Sequence, residues 1–193
     1  ATNGGGFVAG ASGTDWSQQN AAQYSVTDGV TAGTTTITSA TAAFTSADVG
    51  KICLAVDGGL FGGNVQLSQT TITAYISATQ VTVGTSGTTG SNNTFVYGTD
   101  DTTVLQTAWD AALAVQRPLY LPAGMYLVSG SIGAGNLSNA GTMHVYGDGI
   151  GQTVIRLTDT ASWTSGKYGI LSCPSNFNYN TIRDLEINGG HCS

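Results

Sequence analysis

The fold is decided by the stretch from Tyr97 to Leu157, which contains YGTDDTTVLQTAWDAALA (97–114), RPLYLPAGMY (117–126) and VYGDGIGQTVI (145–155). Its first part carries apolar residues three and four positions apart, which predicts one amphipathic helix over residues 101–114. Asp100 or Asp101 is expected to cap this helix, because a carboxylate accepts the free backbone N–H groups of the first turn and suits the positive end of the helix dipole.

Short strands follow the helix and are separated by segments rich in Gly, Asn, Ser and Thr. They recur about every 20 residues, which is typical of solenoids, where each turn of the chain leaves an apolar face that the next turn covers. An amphipathic helix directly before such a stack would cover its open apolar end and prevent edge-to-edge pairing.

Four motifs in this order resemble the pectate-lyase superfamily of right-handed parallel β-helices. They are GTDDT (98–102), RPLYLPAGMY (117–126), VYGDGIGQTVI (145–155) and NTIRDLEING (180–189). The resemblance implies an all-β chain in which residues 94–193 form a capping helix and the first rungs of a parallel β-helix. Pro122, Gly124, Gly147 and Gly149 are then expected to be structural, since glycine allows sharp turns. GDGIG (147–151) opens no helix, so it is not interpreted as a nucleotide loop.

Residues 24–93 are predicted to form a small all-β module, a sandwich or a barrel. Alternating residues indicate strands, and the segment 44–51 is expected to be a turn or short helical loop; the strands are predicted at 34–39, 51–56, 69–76 and 80–83. Ser86 to Asn93 is interpreted as a linker, and the domain boundary is placed there. The module resembles domains that precede β-helices in phage tail proteins.

Residues 1–23 are interpreted as an N-terminal docking segment with Trp16 as its anchor, or alternatively as a terminus that packs on its own domain. The chain starts with neither Met nor the apolar region of a signal peptide, so a processed chain or a fragment is expected. A solenoid exposes its apolar cross-section unless it is capped, so we also expect the chain to continue beyond Ser193.

Composition restricts the possible functions. Of the 193 residues, 40% are apolar and only 8% are charged, and the net charge is -6 with five Lys and Arg residues spread singly. No basic patch indicates nucleic-acid binding, and no apolar run is long enough for membrane insertion. No cofactor or metal is predicted. Cys53, Cys173 and Cys192 share no ligand spacing and are interpreted as buried or free thiols, with their disulfide status left open.

No catalytic residue is assigned, although Asp184 and Glu186 are weak candidates. They are two positions apart on a predicted strand, so they would share a face about 7 Å apart. Paired carboxylates of this kind serve glycoside hydrolysis. The alternative is a solvated outer face beside Arg183. His144 is expected to lie in the core or a hydrogen-bonded wall.

Three functions remain open at this point. The first is the N-terminal part of a phage tailspike or tail fibre, which attaches to a tail or baseplate protein and leads into a β-helix that binds, and in the full-length protein could degrade, host surface polysaccharide. Such a virion protein is expected to be a homotrimer. The others are a secreted polysaccharide lyase or hydrolase, and a non-catalytic adhesive or structural solenoid. The missing signal peptide and the Gly-rich segment with Trp16 favour the first.

Overall fold

The computed structural model describes residues 24–55, 69–133, 143–162, 169–172 and 180–189. The chain forms two compact units, one built around residues 23–99 and the other around residues 100–157 and 161–189. The expected docking segment with Trp16, and likewise Cys173, His191 and Cys192, lie outside the described residues. Within the described ranges, no helix has the length and apolar content needed to cross a membrane.

The first unit is a closed barrel of six antiparallel strands, in the order β1-β2-β5-β4-β3-β6. The strands are β1 (Tyr24–Thr31), β2 (Thr36–Thr38), β3 (Ile52–Ala55), β4 (Gln69–Ser77), β5 (Gln80–Val83) and β6 (Gly90–Gly98). The strands β1 and β6 pair with each other and close the barrel. This confirms the all-β class, with a barrel rather than a sandwich as the N-terminal module.

Alternating side chains fill the barrel interior. Ile37, Val81 and Val83 are buried, whereas their strand neighbours Thr36 and Thr82 are only half-buried. This period of two is the pattern expected of a strand with one face on a core. The loop at 44–51 contains a short 3-10 helix, Ser46–Asp48, as the expected helical loop implies.

The expected linker at Ser86–Asn93 differs from the structure, because its second half belongs to β6. That strand pairs with both β1 and β3. Its first residues are polar and largely exposed, while Phe95, Val96 and Tyr97 are buried. Polar, Gly-containing residues at the solvated start of a strand have the same composition as a linker, and for this reason the sequence alone misplaced the segment.

The second unit contains one helix and three parallel sheets in the described ranges. The helix is α1 (Thr102–Ala114), and the strands are β7 (Leu119–Tyr120), β8 (Gly124–Gly130), β9 (Ile132–Gly133), β10 (His144–Tyr146), β11 (Thr153–Ser162), β12 (Leu171–Ser172), β13 (Thr181–Arg183) and β14 (Glu186–Asn188). The sheets are β7-β10-β13, β8-β11-β14 and β9-β12. Successive passes of the chain are here called coils. Coil 1 (β7–β9) and coil 2 (β10–β12) contribute one strand to each of the three sheets, and coil 3 (β13–β14) contributes one strand to the first two.

The helix α1 packs its apolar face on coil 1 and contacts β7, β8 and β9. Its buried residues are Leu105, Ala108, Trp109, Ala112 and Leu113, which recur at spacings of three and four as the sequence pattern predicts. All of them except Leu113 join one apolar cluster with inward residues of the coils, among them Leu119, Val145 and Ile155. The helix thus covers the interior at the coil 1 end of the stack.

Candidate functional site

The turns between the first two sheets are stacked on one another and form the most tightly bonded part of the second unit. In coil 2 the backbone N–H of Gly147 donates to Arg183 O at 3.2 Å, and that of Gly149 donates to Asp184 O at 2.7 Å. A Cβ at Gly147 would lie 2.6 Å from Asp184 O and 2.6 Å from Thr153 Cβ. Glycine at 147 is therefore required by the close approach of coil 3.

The same turn is also bonded to coil 1. The Asp148 carboxylate accepts hydrogen bonds from the Tyr120 hydroxyl and from the Ala123 N–H, each at 2.7 Å. Nearby, the Tyr126 hydroxyl donates to Pro122 O at 2.9 Å. These bonds give the GDG segment a structural role in joining coils, in line with its interpretation as a turn.

Two glycines of these turns adopt backbone angles that favour glycine. Gly124 has φ +150° and Gly149 has φ +137°. Gly124 follows Pro122 and Ala123 and begins β8. Both glycines therefore stand where the chain changes direction between two sheets, as expected of structural positions.

The two aspartates before α1 bind through different groups, Asp101 through its backbone N–H and Asp100 through its carboxylate. Asp101 is the N-cap residue, and its N–H donates to Leu127 O at 2.7 Å. The carboxylate of Asp100 accepts the Thr102 N–H at 2.9 Å and the Thr102 hydroxyl at 2.6 Å, as well as the hydroxyl of Ser129. Desolvation raises the pKa of Asp100, but these hydrogen bonds outweigh it, so its pKa lies below the usual 3.8. Both residues anchor the helix on coil 1.

The weak catalytic candidates are not on one strand. Asp184 lies at the bend between β13 and β14 with φ +57°, whereas Glu186 begins β14. The shared strand face expected for them is therefore wrong, since the chain turns between them. The Asp184 carboxylate pairs with the Arg183 guanidinium at 3.2 Å, and 53% of its side chain is exposed. This ion pair matches the solvated outer face that was the alternative interpretation.

An outer column of Tyr120, Tyr146 and Arg183 runs across the first parallel sheet. Tyr146 is aligned with Tyr120 on β7 and with Arg183 on β13. The two Tyr rings are 5.2 Å apart between centroids and tilted by 32°, and the Arg183 guanidinium carbon lies 5.4 Å from the Tyr146 ring centroid. One polar or aromatic side chain from each coil thus forms a continuous row on the outside of the sheet.

His144 belongs to the same outer face. It is half-buried, two residues before Tyr146, while Val145 between them is buried. The first of the two expectations for His144, a position in the core, is therefore wrong, because alternation on β10 places Val145 inward; the second, a hydrogen-bonded wall, stays a prediction. The repeated pattern of an apolar residue followed by a large polar one in Leu119-Tyr120, Val145-Tyr146 and Ile182-Arg183 is the signal that would have identified the column.

The described ranges contain no group of metal ligands and one buried thiol. Within them, no group of three His, Cys, Asp or Glu residues could hold a metal ion. Cys53 is fully buried in the barrel, and this desolvation raises the pKa of its thiol to about 12. A thiol in this environment is not a nucleophile near neutral pH.

The sequence profile of the family "Rhamnogalacturonase A/epimerase, pectate lyase-like" matches residues 90–190, which is just over half of the chain. The chain therefore belongs to this pectate lyase-like family. This confirms the resemblance to the pectate-lyase superfamily, whereas the phage part of the resemblance stays a prediction.

Curated relatives are enzymes of one bacterium. The chain is 39% identical over 98 residues to mannuronan C5-epimerase AlgE2 of Azotobacter vinelandii, and the aligned stretch covers 47% of this chain and 9% of the relative. It is 38% identical over 96 residues to alginate lyase 7 of the same organism, covering 47% of this chain and 11% of the relative. The chain thus spans about a tenth of the length of these relatives. No solved structure matches the chain significantly.

Proposed function

We propose that this chain is the helix-capped start of a right-handed parallel β-helix in a protein that binds a polysaccharide and, at full length, modifies it. The family match and the names of the relatives, which are epimerases and a lyase of polysaccharides, support this proposal. So do the three parallel sheets, in which aligned strands come from successive coils.

The inward residues differ in burial between the coils. Leu119 and Val145, which are aligned in coils 1 and 2, are 2% and 1% exposed, but the aligned Ile182 in coil 3 is 43% exposed. On the second sheet, Ile155 is 0% exposed and the aligned Ile187 is 42% exposed. Stacking thus buries the inward residues of coils 1 and 2, as expected of a solenoid, whereas these two isoleucines of coil 3 are accessible.

The outer column is the observation that carries polysaccharide binding by this segment. It gathers two tyrosines, a guanidinium and the Asp148 and Asp184 carboxylates on the outside of a rigid sheet. Tyrosine hydroxyls, guanidinium N–H groups and carboxylate oxygens are donors and acceptors for sugar hydroxyls. A general acid in glycoside hydrolysis is typically a shielded carboxyl, whereas Asp184 is exposed and ion-paired.

Affinity electrophoresis in gels that contain neutral or acidic polysaccharides tests the proposal. We expect at least one polysaccharide to retard the chain, and Tyr146→Ser to abolish the retardation. The matched control is Tyr75→Ser, since Tyr75 is an exposed tyrosine of the barrel and belongs to the other unit. Circular dichroism checks that each variant is folded. If folded Tyr146→Ser is still retarded, the outer column is not part of the binding surface.

The barrel supports a second candidate, the attachment part of a phage tailspike or tail fibre. The family match begins at residue 90, so five of the six barrel strands, β1 to β5, precede it. In this proposal the protein is a homotrimer in the virion tail, its N-terminal segment binds a tail or baseplate protein, and its β-helix binds a host surface glycan. Light scattering on the full-length protein separates the candidates, since a trimer favours the tailspike and a monomer favours a secreted enzyme.

A further inference from the structure

The ring faces in the outer column are already in contact with one another. Strand β10 lies between β7 and β13, so Tyr120 approaches Tyr146 from one side and Arg183 from the other. A sugar ring that stacks on Tyr146 would have to displace one of these neighbours. Contact with a sugar is therefore made through ring edges and polar groups rather than by stacking on this ring.

The charges around the column are predominantly negative. The guanidinium of Arg183 is 3.2 Å from the Asp184 carboxylate, so its charge is compensated locally. The exposed Asp148 carboxylate binds the Tyr120 hydroxyl and the Ala123 N–H, neither of which carries a charge. Two carboxylates thus accompany one guanidinium at this face, in a chain whose net charge is -6. An anionic polymer laid along the column would be repelled.

The same groups are well suited to uncharged sugars. Carboxylates and guanidinium groups form charge-assisted hydrogen bonds with neutral partners, and these are stronger than bonds between two neutral groups. Adjacent hydroxyls of a neutral sugar can donate to a carboxylate and accept from a guanidinium without bringing a charge to the site. The arrangement therefore favours hydroxyl recognition over recognition of a sugar carboxylate.

We infer that the polysaccharide bound at the outer column is an uncharged glycan, held at the edge of the column by hydrogen bonds to Arg183, Asp184 and Asp148. This inference rests on the proposed polysaccharide binding and specifies its ligand class. The ligand inferred for this face therefore differs from mannuronan and alginate, the polymers in the names of the relatives.

The test compares Asp184→Asn with wild type on two neutral polymers, soluble glucan and galactomannan, and on two acidic ones, polymannuronate and polygalacturonate. Asn keeps the shape of the side chain and tolerates the positive φ of residue 184, so the turn is retained. The matched control is Asp110→Asn, which makes the same change in charge at an exposed position on α1. Affinities are measured by affinity electrophoresis at low and high salt.

For a neutral polymer, Asp184→Asn should weaken binding on the order of tenfold, which equals about 1.4 kcal/mol, while Asp110→Asn has no effect. Salt should leave the wild-type affinity for that polymer nearly unchanged. Binding of an acidic polymer that Asp184→Asn strengthens and salt weakens would overturn the inference and leave polysaccharide binding intact. Equal behaviour of the two variants on a neutral polymer would also overturn it. Failure to bind any of the polymers would count against the proposed function itself.

Discussion

Replacing Gly147 by Ala should destabilise the second unit more than any other glycine-to-alanine change in its described turns. The added Cβ would lie 2.6 Å from the Asp184 carbonyl oxygen and 2.6 Å from Thr153 Cβ, and neither atom belongs to the mobile end of a side chain. Ordinary contact begins at 3.4 Å, so coils 2 and 3 would have to separate by about 0.8 Å at Asp184, and Thr153 within coil 2 would have to shift by a similar distance.

That separation acts on two backbone hydrogen bonds, from Gly147 to Arg183 and from Gly149 to Asp184. Overpacking costs roughly 1–3 kcal/mol, and each of the two weakened hydrogen bonds adds roughly 0.5–1.5 kcal/mol, so we expect a loss of about 2–6 kcal/mol. Gly169→Ala is the control in the same unit, because its nearest neighbour, Leu171 O, is 3.5 Å from the added Cβ. This change should alter stability by less than about 0.5 kcal/mol.

Hydrogen exchange read by mass spectrometry separates the two units, which a single unfolding curve for a chain of this kind does not. Peptides covering 143–157 should lose protection in Gly147→Ala and keep it in Gly169→Ala. Peptides from β4 and β5 of the barrel should be unchanged in both variants. Equal protection of 143–157 in the two variants would refute the steric argument at Gly147.

Three further changes test other parts of the structure. Trp109→Ala should lower the unfolding free energy of the second unit by about 3–5 kcal/mol, because Trp109 is a fully buried member of the apolar cluster under α1. Hydrogen exchange of the α1 amides measures this loss, and a loss below about 1 kcal/mol would contradict the packing. Tyr126→Phe should cost about 1–3 kcal/mol in urea unfolding, since it leaves Pro122 O without its buried donor, whereas no change would show that water replaces the hydroxyl. Burial raises the pKa of Asp48, but hydrogen bonds from Lys51 and Thr45 lower it by more, so its folded pKa is below 3.8. The stability that the Asp48 carboxylate contributes is therefore present above pH 3.8 and is lost as pH falls through the folded pKa. Asp48→Asn should make the unfolding free energy of the barrel less dependent on pH in this acid range.

Local patterns predicted the helix and part of the barrel, because their signals are periodic and continuous. The spacing of Leu105, Ala108, Trp109 and Ala112 directly reflects the face that α1 buries. The alternation in Gln80–Val83 gave that strand its observed bounds. In both elements, burial follows a repeat contained within one short segment.

The outer column was missed because its members are far apart in sequence and come together only through register. Tyr120, Tyr146 and Arg183 belong to three strands of two or three residues each, which are too short to show a period of their own. The misplacement of Asp184 and Glu186 on one strand has a related cause. A single residue at φ +57° ends β13 and reverses the expected alternation, and Asp is one of the few residues that tolerate this angle.

Asp184 joins the structural and the binding roles of coil 3. Its carbonyl oxygen accepts the Gly149 N–H, which fixes the bend to the turn below it, and its carboxylate holds Arg183 beside Tyr146. The turns therefore set the position of the column as well as the register of the coils. A change that loosens the turn would also move Arg183, so loss of binding alone cannot identify a ligand contact there. Only a substitution that keeps the bend and alters the carboxylate, as Asn does, separates the two roles.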